Sequence, residues 1–162
     1  MKVLISFSLL LISSWFANAE DHVVRVITDN ENGITKFEPK FLTVNVGDTV
    51  TWMNVTDDLH NVITYPDGFP EGGSGFKSPY FEQAGDEWSV TFDVQGTYQY
   101  HCIPHVLMGM RGVVVVGRPT PVNKFHKPTK DEIMTYRTEL LEFFDSDEFD
   151  FMPDAVRRNV GK

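Results

Sequence analysis

The chain has 162 residues, of which 41% are hydrophobic and 13% aromatic, a composition that favours one compact globular domain over a disordered or fibrous chain. Its formal net charge of -9 at pH 7 argues against nucleic acid as a partner and favours basic partners. Cys102 is the only cysteine, so an intrachain disulfide is excluded.

Residues 1–19 have the pattern of a secretory signal peptide. Lys2 precedes an apolar run, and the segment ends in Ala17-Asn18-Ala19, the small-x-small pattern that signal peptidases cut. The run is too short for a good membrane span, and no later segment is long and apolar enough to cross a bilayer. We therefore expect cleavage before Glu20, export to a bacterial periplasm, and no membrane span after cleavage.

Residues 20–118 are predicted to form one all-β domain, because short strands alternate with clusters of Gly, Pro, Asn and Asp. Their pattern is typical of an antiparallel sandwich or barrel. In chain order, the predicted strands cover residues 22–28, 41–46, 49–54, 88–94, 97–102 and 112–117, with a long Gly- and Pro-rich loop at 66–79.

The predicted strand at 97–102 has two faces of different character. Tyr98, Tyr100 and Cys102 share one face, while Gln99 and His101 share the other. The aromatic face suits the core better. We therefore expect the Cys102 sulfur at the core end of this strand and His101 in solvent.

Residues 119–162 are predicted to be a Pro-bearing linker followed by a helical, acidic extension. Thr129 and Glu132 are spaced as a capping box at the start of a helix over 129–144. This helix has one apolar stripe, which could pack on the sandwich. Its residues recur at near-helical spacing and are Ile133, Tyr136, Leu140 and Phe144. The acidic run at 145–150 is predicted to be solvated.

The segment after the strand at 97–102 carries metal-binding side chains. The Cys102 thiol is followed by an imidazole three residues later, His105, and by a thioether five residues beyond that, Met110. Soft sulfur donors beside imidazole favour copper, and two imidazoles with one thiolate and a distant Met form a site used for electron transfer. His60 fits as the second imidazole, because it follows a predicted strand and precedes Asn61, whose amide can join the two ligand loops or hydrogen-bond the thiolate.

These residues resemble the cupredoxins, particularly plastocyanin and pseudoazurin, over about residues 22–118. The resemblance rests on GDTVTWMN followed by His60-Asn61, on GTYQYHC-x-x-H-x4-M, and on the closing valine strand. It implies an eight-stranded Greek-key β-sandwich, and the C-terminal helical extension is similar to that of pseudoazurin. It also implies one type 1 copper ion with the ligands His60, Cys102, His105 and Met110. Met108 has the spacing used by amicyanins and is the alternative axial ligand.

The function implied by the resemblance is a monomeric electron shuttle, not an enzyme. Single electrons would pass between a protein donor and a protein acceptor that dock around His105, whose ring edge reaches the surface in this family. Pro104, Leu107 and Met108 would form the apolar surface around it. Pseudoazurins typically carry lysines at this port, and the acidic charge of this chain departs from that pattern.

Two functions from other classes are alternatives. One is a copper carrier or storage protein, against which a buried cysteine-centred site argues. The other is a subunit of a nitrite-reductase-like multicopper enzyme, in which His101 beside Cys102 would bind a second copper ion. Such a site needs several more imidazoles, and the chain has five histidines in total.

Overall fold

The computed structural model describes residues 19–119 and 126–144, which form eight strands, one 3-10 turn and one helix. The predicted signal peptide, except Ala19, and the acidic run at 145–150 lie outside the described residues, as do linker residues 120–125. The strands are β1 (Asp21–Asp29), β2 (Ile34–Glu38), β3 (Phe41–Val44), β4 (Thr49–Asn54), β5 (Ile63–Thr64), β6 (Glu87–Thr91), β7 (Gly96–His101) and β8 (Arg111–Val116). The 3-10 turn covers Val106–Met108, and α1 covers Lys130–Phe144.

The strands form two four-stranded sheets, ordered β2-β1-β4-β6 and β3-β8-β7-β5. The predicted β-sandwich with a C-terminal helix is confirmed. The antiparallel pairing expected from the strand pattern holds for most neighbours, but β1 pairs with β4 and β3 with β8 in parallel. The two strands of each parallel pair are distant in sequence. The chain between them crosses to the other sheet and returns, so the second strand runs in the same direction as the first. Sequence reasoning also missed the short strands β2 and β5.

The core lies between the two sheets. Trp52 of β4 and Tyr100 of β7 meet edge to face with ring centroids 5.3 Å apart. Each buried apolar side chain contributes about 1.5–3 kcal/mol relative to its exposed state. Around this ring pair are packed other side chains without solvent exposure, namely Val24, Val26, Val50, Val114 and Val116.

His101 is buried, so the prediction that it lies in solvent is wrong. Its exposed fraction is 0%, and every residue of β7 is buried. The Tyr65 ring stacks on the His101 ring at 4.2 Å, and the Tyr136 ring of α1 lies 4.8 Å from it. Strand periodicity separates the two faces of a strand but does not show whether the outer face is exposed. Here Tyr65 of a loop and Tyr136 of α1 cover the outer face of β7.

Helix α1 begins at the predicted capping box. The Thr129 N–H donates to Glu132 Oε2 at 2.7 Å, and the Glu132 N–H donates to Thr129 Oγ1 at 3.2 Å. Further along, Glu139 accepts a hydrogen bond from the Tyr80 hydroxyl and pairs with Lys77 at 2.7 Å. These contacts hold α1 beside the sandwich. Within the described ranges, no helix combines the length and apolar character needed to span a membrane.

Candidate metal centre

Three of the predicted ligands converge at one end of the sandwich. The Cys102 sulfur lies 3.6 Å from Nδ1 of His60 and 3.6 Å from Nδ1 of His105. All three donor atoms lie within 4.8 Å of one another. In zinc sites, imidazole nitrogen and thiolate sulfur lie about 2.0–2.3 Å from the ion, so donors sharing one ion are roughly 3.3–3.8 Å apart. Both sulfur–nitrogen distances fall in this range and therefore suit one shared ion.

The loop between β7 and β8 places two of these donors. Cys102 directly follows β7, and its N–H donates to the Met110 carbonyl at 3.2 Å. The Met110 N–H donates to the His105 carbonyl at 3.2 Å, which closes the loop on itself. Gly109 turns the chain with φ of 81°, a conformation that favours glycine.

The loop after β4 places His60. Its N–H donates to the Phe81 carbonyl at 3.1 Å, and the Phe81 N–H donates back at 2.7 Å. The Asn61 side-chain oxygen accepts the N–H of Ile103 at 2.8 Å, across 42 residues of sequence. Of the two roles predicted for the Asn61 amide, joining the two ligand loops is therefore confirmed. The amide nitrogen is buried and has no hydrogen-bond partner among the described residues, so it does not donate to the Cys102 sulfur.

The outer nitrogens of the two imidazoles face different groups. Nε2 of His60 lies 2.9 Å from the Thr28 hydroxyl oxygen, and Nε2 of His105 lies 4.0 Å from a carboxylate oxygen of Asp58. Both Nδ1 atoms thus face the sulfur. Sequence reasoning missed Thr28 and Asp58, and no motif marks either residue.

Burial controls the protonation of the three donors. It raises the pKa of the Cys102 thiol to about 12, although the backbone N–H groups of Asn61 and His105 act in the opposite direction. Burial lowers the pKa of His60 well below its ordinary value and also lowers that of His105, where Asp58 opposes the effect. Neutral imidazoles keep a lone pair for a metal, and a bound cation supplies the charge that favours the thiolate.

The two candidate axial residues differ in burial. Met110 is buried in the same core cluster as Cys102, whereas Met108 is 57% exposed on the 3-10 turn. The interior position of Met110 favours it as the axial donor.

The donor set fits copper. Two neutral imidazoles, a thiol and a thioether are soft or borderline ligands, whereas magnesium and calcium require oxygen ligands. Across residues 19–119 and 126–144, one group of His, Cys, Asp or Glu side chains converges closely enough to hold a metal ion. It consists of His60, Cys102 and His105. His101 is packed between Tyr65 and Tyr136 instead, which argues against a second copper ion at that histidine.

Comparison with known proteins gives a consistent result. The family described as copper binding proteins, plastocyanin/azurin family, matches residues 24–117. A pseudoazurin-type protein from Rhizobium leguminosarum bv. viciae is 36% identical over 115 residues, which cover 71% of this chain and 72% of the relative. Plastocyanin from Scenedesmus fuscus is 36% identical over 89 residues, covering 53% of this chain and 91% of the relative. The crystal structure of pseudoazurin from Methylobacterium extorquens AM1 matches with a TM-score of 0.57 at 26% identity, over 76% of this chain and 98% of that chain.

Proposed function

The chain belongs to the plastocyanin/azurin family of copper binding proteins, and from this premise we propose that it shuttles single electrons between a protein donor and a protein acceptor. Copper is its cofactor, and the family to which it belongs consists of electron carriers rather than enzymes. We assign the ligands of one type 1 copper ion to His60, Cys102, His105 and Met110.

One observation carries this assignment: the Cys102 sulfur is equidistant, at 3.6 Å, from the Nδ1 atoms of two histidines on separate loops. The Asn61–Ile103 hydrogen bond holds these loops in register, and the Cys102–Met110 backbone bond anchors the sulfur. The copper ion supplies a one-electron couple between Cu(II) and Cu(I). The chain contributes a donor set on two loops that are joined by hydrogen bonds, so little reorganisation is expected when an electron arrives or leaves.

The proposed docking surface surrounds His105. The side chain of His105 is 14% exposed, and its neighbours Leu107 and Met108 are 77% and 57% exposed. Leu140 of α1 borders the same surface beside Pro104. An exposed apolar surface of this kind suits brief contact with a protein partner. We expect the protein to be a monomer. Sedimentation equilibrium tests this, and a mass above that of one chain would contradict it.

We further propose that cleavage after Ala19 delivers the protein to the periplasm. The backbone nitrogen of Glu20 lies 2.9 Å from Oδ1 of the buried Asp48. A new terminus at Glu20 would therefore place its ammonium group against a buried carboxylate. N-terminal sequencing of protein from the periplasmic fraction tests this, and a first residue other than Glu20 would contradict it.

Copper loading tests the proposed function as a whole. Purified protein is loaded with Cu(II), its visible and spin-resonance spectra are recorded, and it is titrated with a one-electron reductant. We expect one copper per chain and an intense blue band that bleaches reversibly. A Cys102→Ser variant should lack the band, and Met108→Leu is the matched control that should keep it. A colourless product, as a copper carrier would give, or a product with two copper ions would contradict the proposal.

A further inference from the structure

The outer edge of His105 faces a buried negative charge. Oδ2 of Asp58 lies 4.0 Å from Nε2 of His105, and the Asp58 side chain is 8% exposed. Its other oxygen, Oδ1, accepts the N–H of Leu59 at 2.9 Å. Among residues 19–119 and 126–144, no lysine or arginine lies within ion-pair distance of Asp58. Among the described residues, His105 is therefore the basic side chain that lies within ion-pair distance of this carboxylate.

The backbone determines where Asp58 sits. Its N–H donates to the Thr56 carbonyl at 2.9 Å, and its carbonyl accepts from the Asn54 side-chain amide at 3.1 Å. The Leu59 N–H holds Oδ1 of the carboxylate, and the second oxygen, Oδ2, faces His105. At 4.0 Å the contact between Oδ2 and Nε2 of His105 is longer than a hydrogen bond and is electrostatic.

The space around this pair is partly shielded from solvent. A cavity of about 260 Å³ borders both Asp58 and His105. Its wall also includes Met108 of the 3-10 turn and Leu140 of α1. A charge interacts more strongly where water is partly excluded than at an open surface. The negative charge of Asp58 therefore acts on the metal centre more than its surface-exposed neighbour Asp57 does.

We propose that Asp58 is a positioning residue of the copper centre, which holds the proton of His105 on Nε2, leaves Nδ1 free to face Cys102, and favours the oxidised state. This inference rests on the proposed function. A carboxylate on the outer nitrogen of a ligand histidine sets its tautomer and orientation. His60 has a neutral hydroxyl, from Thr28, in the equivalent place. The two imidazoles are thus held by groups of different charge.

The first test reads the tautomer in the metal-free protein. In Asp58→Asn the amide oxygen can still accept the Leu59 N–H, so the NH₂ group takes the place of Oδ2 and faces Nε2. Replacing an orienting carboxylate by an amide in this way reverses the tautomer of the histidine. Nitrogen NMR should show Nε2–H for His105 in the wild type and Nδ1–H in Asp58→Asn. A wild type with the proton on Nδ1 would overturn the proposal.

The second test measures the reduction potential of the copper-loaded protein. Asp57→Asn is the matched control, because it removes the same charge one residue away at an exposed side chain that accepts the Ala84 N–H. Asp58→Asn should favour Cu(I) over Cu(II) by about tenfold relative to wild type, a rise of about 59 mV for one electron. Asp57→Asn should give a much smaller rise, since exposed charges are screened.

The outcomes separate this inference from the proposed function. Equal potentials for Asp58→Asn and Asp57→Asn, in a wild type that is blue with one copper, would overturn the role of Asp58 and leave the electron carrier intact. A wild type that forms no blue one-copper centre would overturn both.

Discussion

At the scale of single residues, burial controls the protonation of the metal donors and their exposure to oxidants. Cys102 and His60 have no solvent exposure, so the lone thiol of a protein with a predicted export signal is protected from oxidants. The same burial keeps both imidazoles neutral and the thiol protonated until a metal binds. Copper binding should therefore release a proton from the thiol.

The axial ligand can be tested by a pair of substitutions. Met110→Leu should keep the blue band and raise the reduction potential, because loss of the weak thioether donor disfavours Cu(II). The two side chains have similar volumes, so a stability loss below about 1.5 kcal/mol is expected. Voltammetry of the copper-loaded variant measures the shift. Met108→Leu on the exposed turn is the control, and a raised potential there with none in Met110→Leu would reverse the assignment.

The hydroxyl that faces His60 should control copper affinity. Thr28→Val removes the group 2.9 Å from Nε2 of His60, so the ring loses its orientation and affinity should fall roughly 10- to 100-fold. Competition with a chelator measures the change. Thr35→Val is the matched control, because the Thr35 hydroxyl is buried with no hydrogen-bond partner among the described residues. Equal weakening in both variants would show that Thr28 has no specific role.

At the scale of elements, α1 connects the C-terminal segment to the metal centre. Tyr136 covers His101, the residue before Cys102, and Leu140 borders the surface of His105. His126, just before the helix, stacks on Tyr65 at 4.3 Å. Loss of this helix should therefore expose the outer side of β7 next to Cys102.

The capping box is the place to test the stability of α1. Thr129→Ala removes the hydroxyl that accepts the Glu132 N–H, and should destabilise the helix by about 0.5–2 kcal/mol. Hydrogen exchange of the helix amides should become faster, while β4 and β7 are unaffected. Thr135→Ala is the control, because that hydroxyl donates to the Asp131 carbonyl inside the helix and caps no terminus. Faster exchange in the control alone would contradict this role.

At the scale of the whole molecule, Asp48 joins two parts of the chain that are distant in sequence. Its carboxylate accepts the N–H of Asn45 at 2.7 Å and of Glu20 at 2.9 Å, and it contacts Nε2 of His22 at 3.0 Å. These contacts, led by the Asn45 N–H, lower its pKa from 3.8 to about 2. The start of β1 and the turn before β4 are thus held by one acid.

This acid should make the stability of the fold depend on pH. Since the pKa is lower in the folded state, the contribution is complete above about pH 4 and is lost as the pH falls toward 2. Asp48→Asn should lower Tm at pH 7, because an amide accepts fewer N–H groups, and the difference from wild type should shrink near pH 2. Thermal unfolding at several pH values measures this. Asp93→Asn is the exposed control, and a pH-independent difference for Asp48→Asn would contradict the role.

Patterns that depend on neighbours in sequence were predictable. The spacing of Cys102, His105 and Met110 lies within one loop, so it predicts copper and three of its four proposed donors before the fold is known. Strand alternation correctly placed Tyr98 and Tyr100 in the core, and the Thr129–Glu132 pair located the start of α1. Each of these features acts over a few residues, where chain geometry leaves few alternatives.

Local sequence patterns thus predict the proposed donor set, and they correctly predict the sandwich class and the C-terminal helix. Three features become visible only in the folded chain: the burial of His101, the parallel strand pairs, and the positions of Thr28 and Asp58 against the outer ring nitrogens. The physical reason is distance along the chain. Thr28 meets His60 across 32 residues and Asp58 meets His105 across 47, and no local pattern encodes a contact that exists only after the sheets pack.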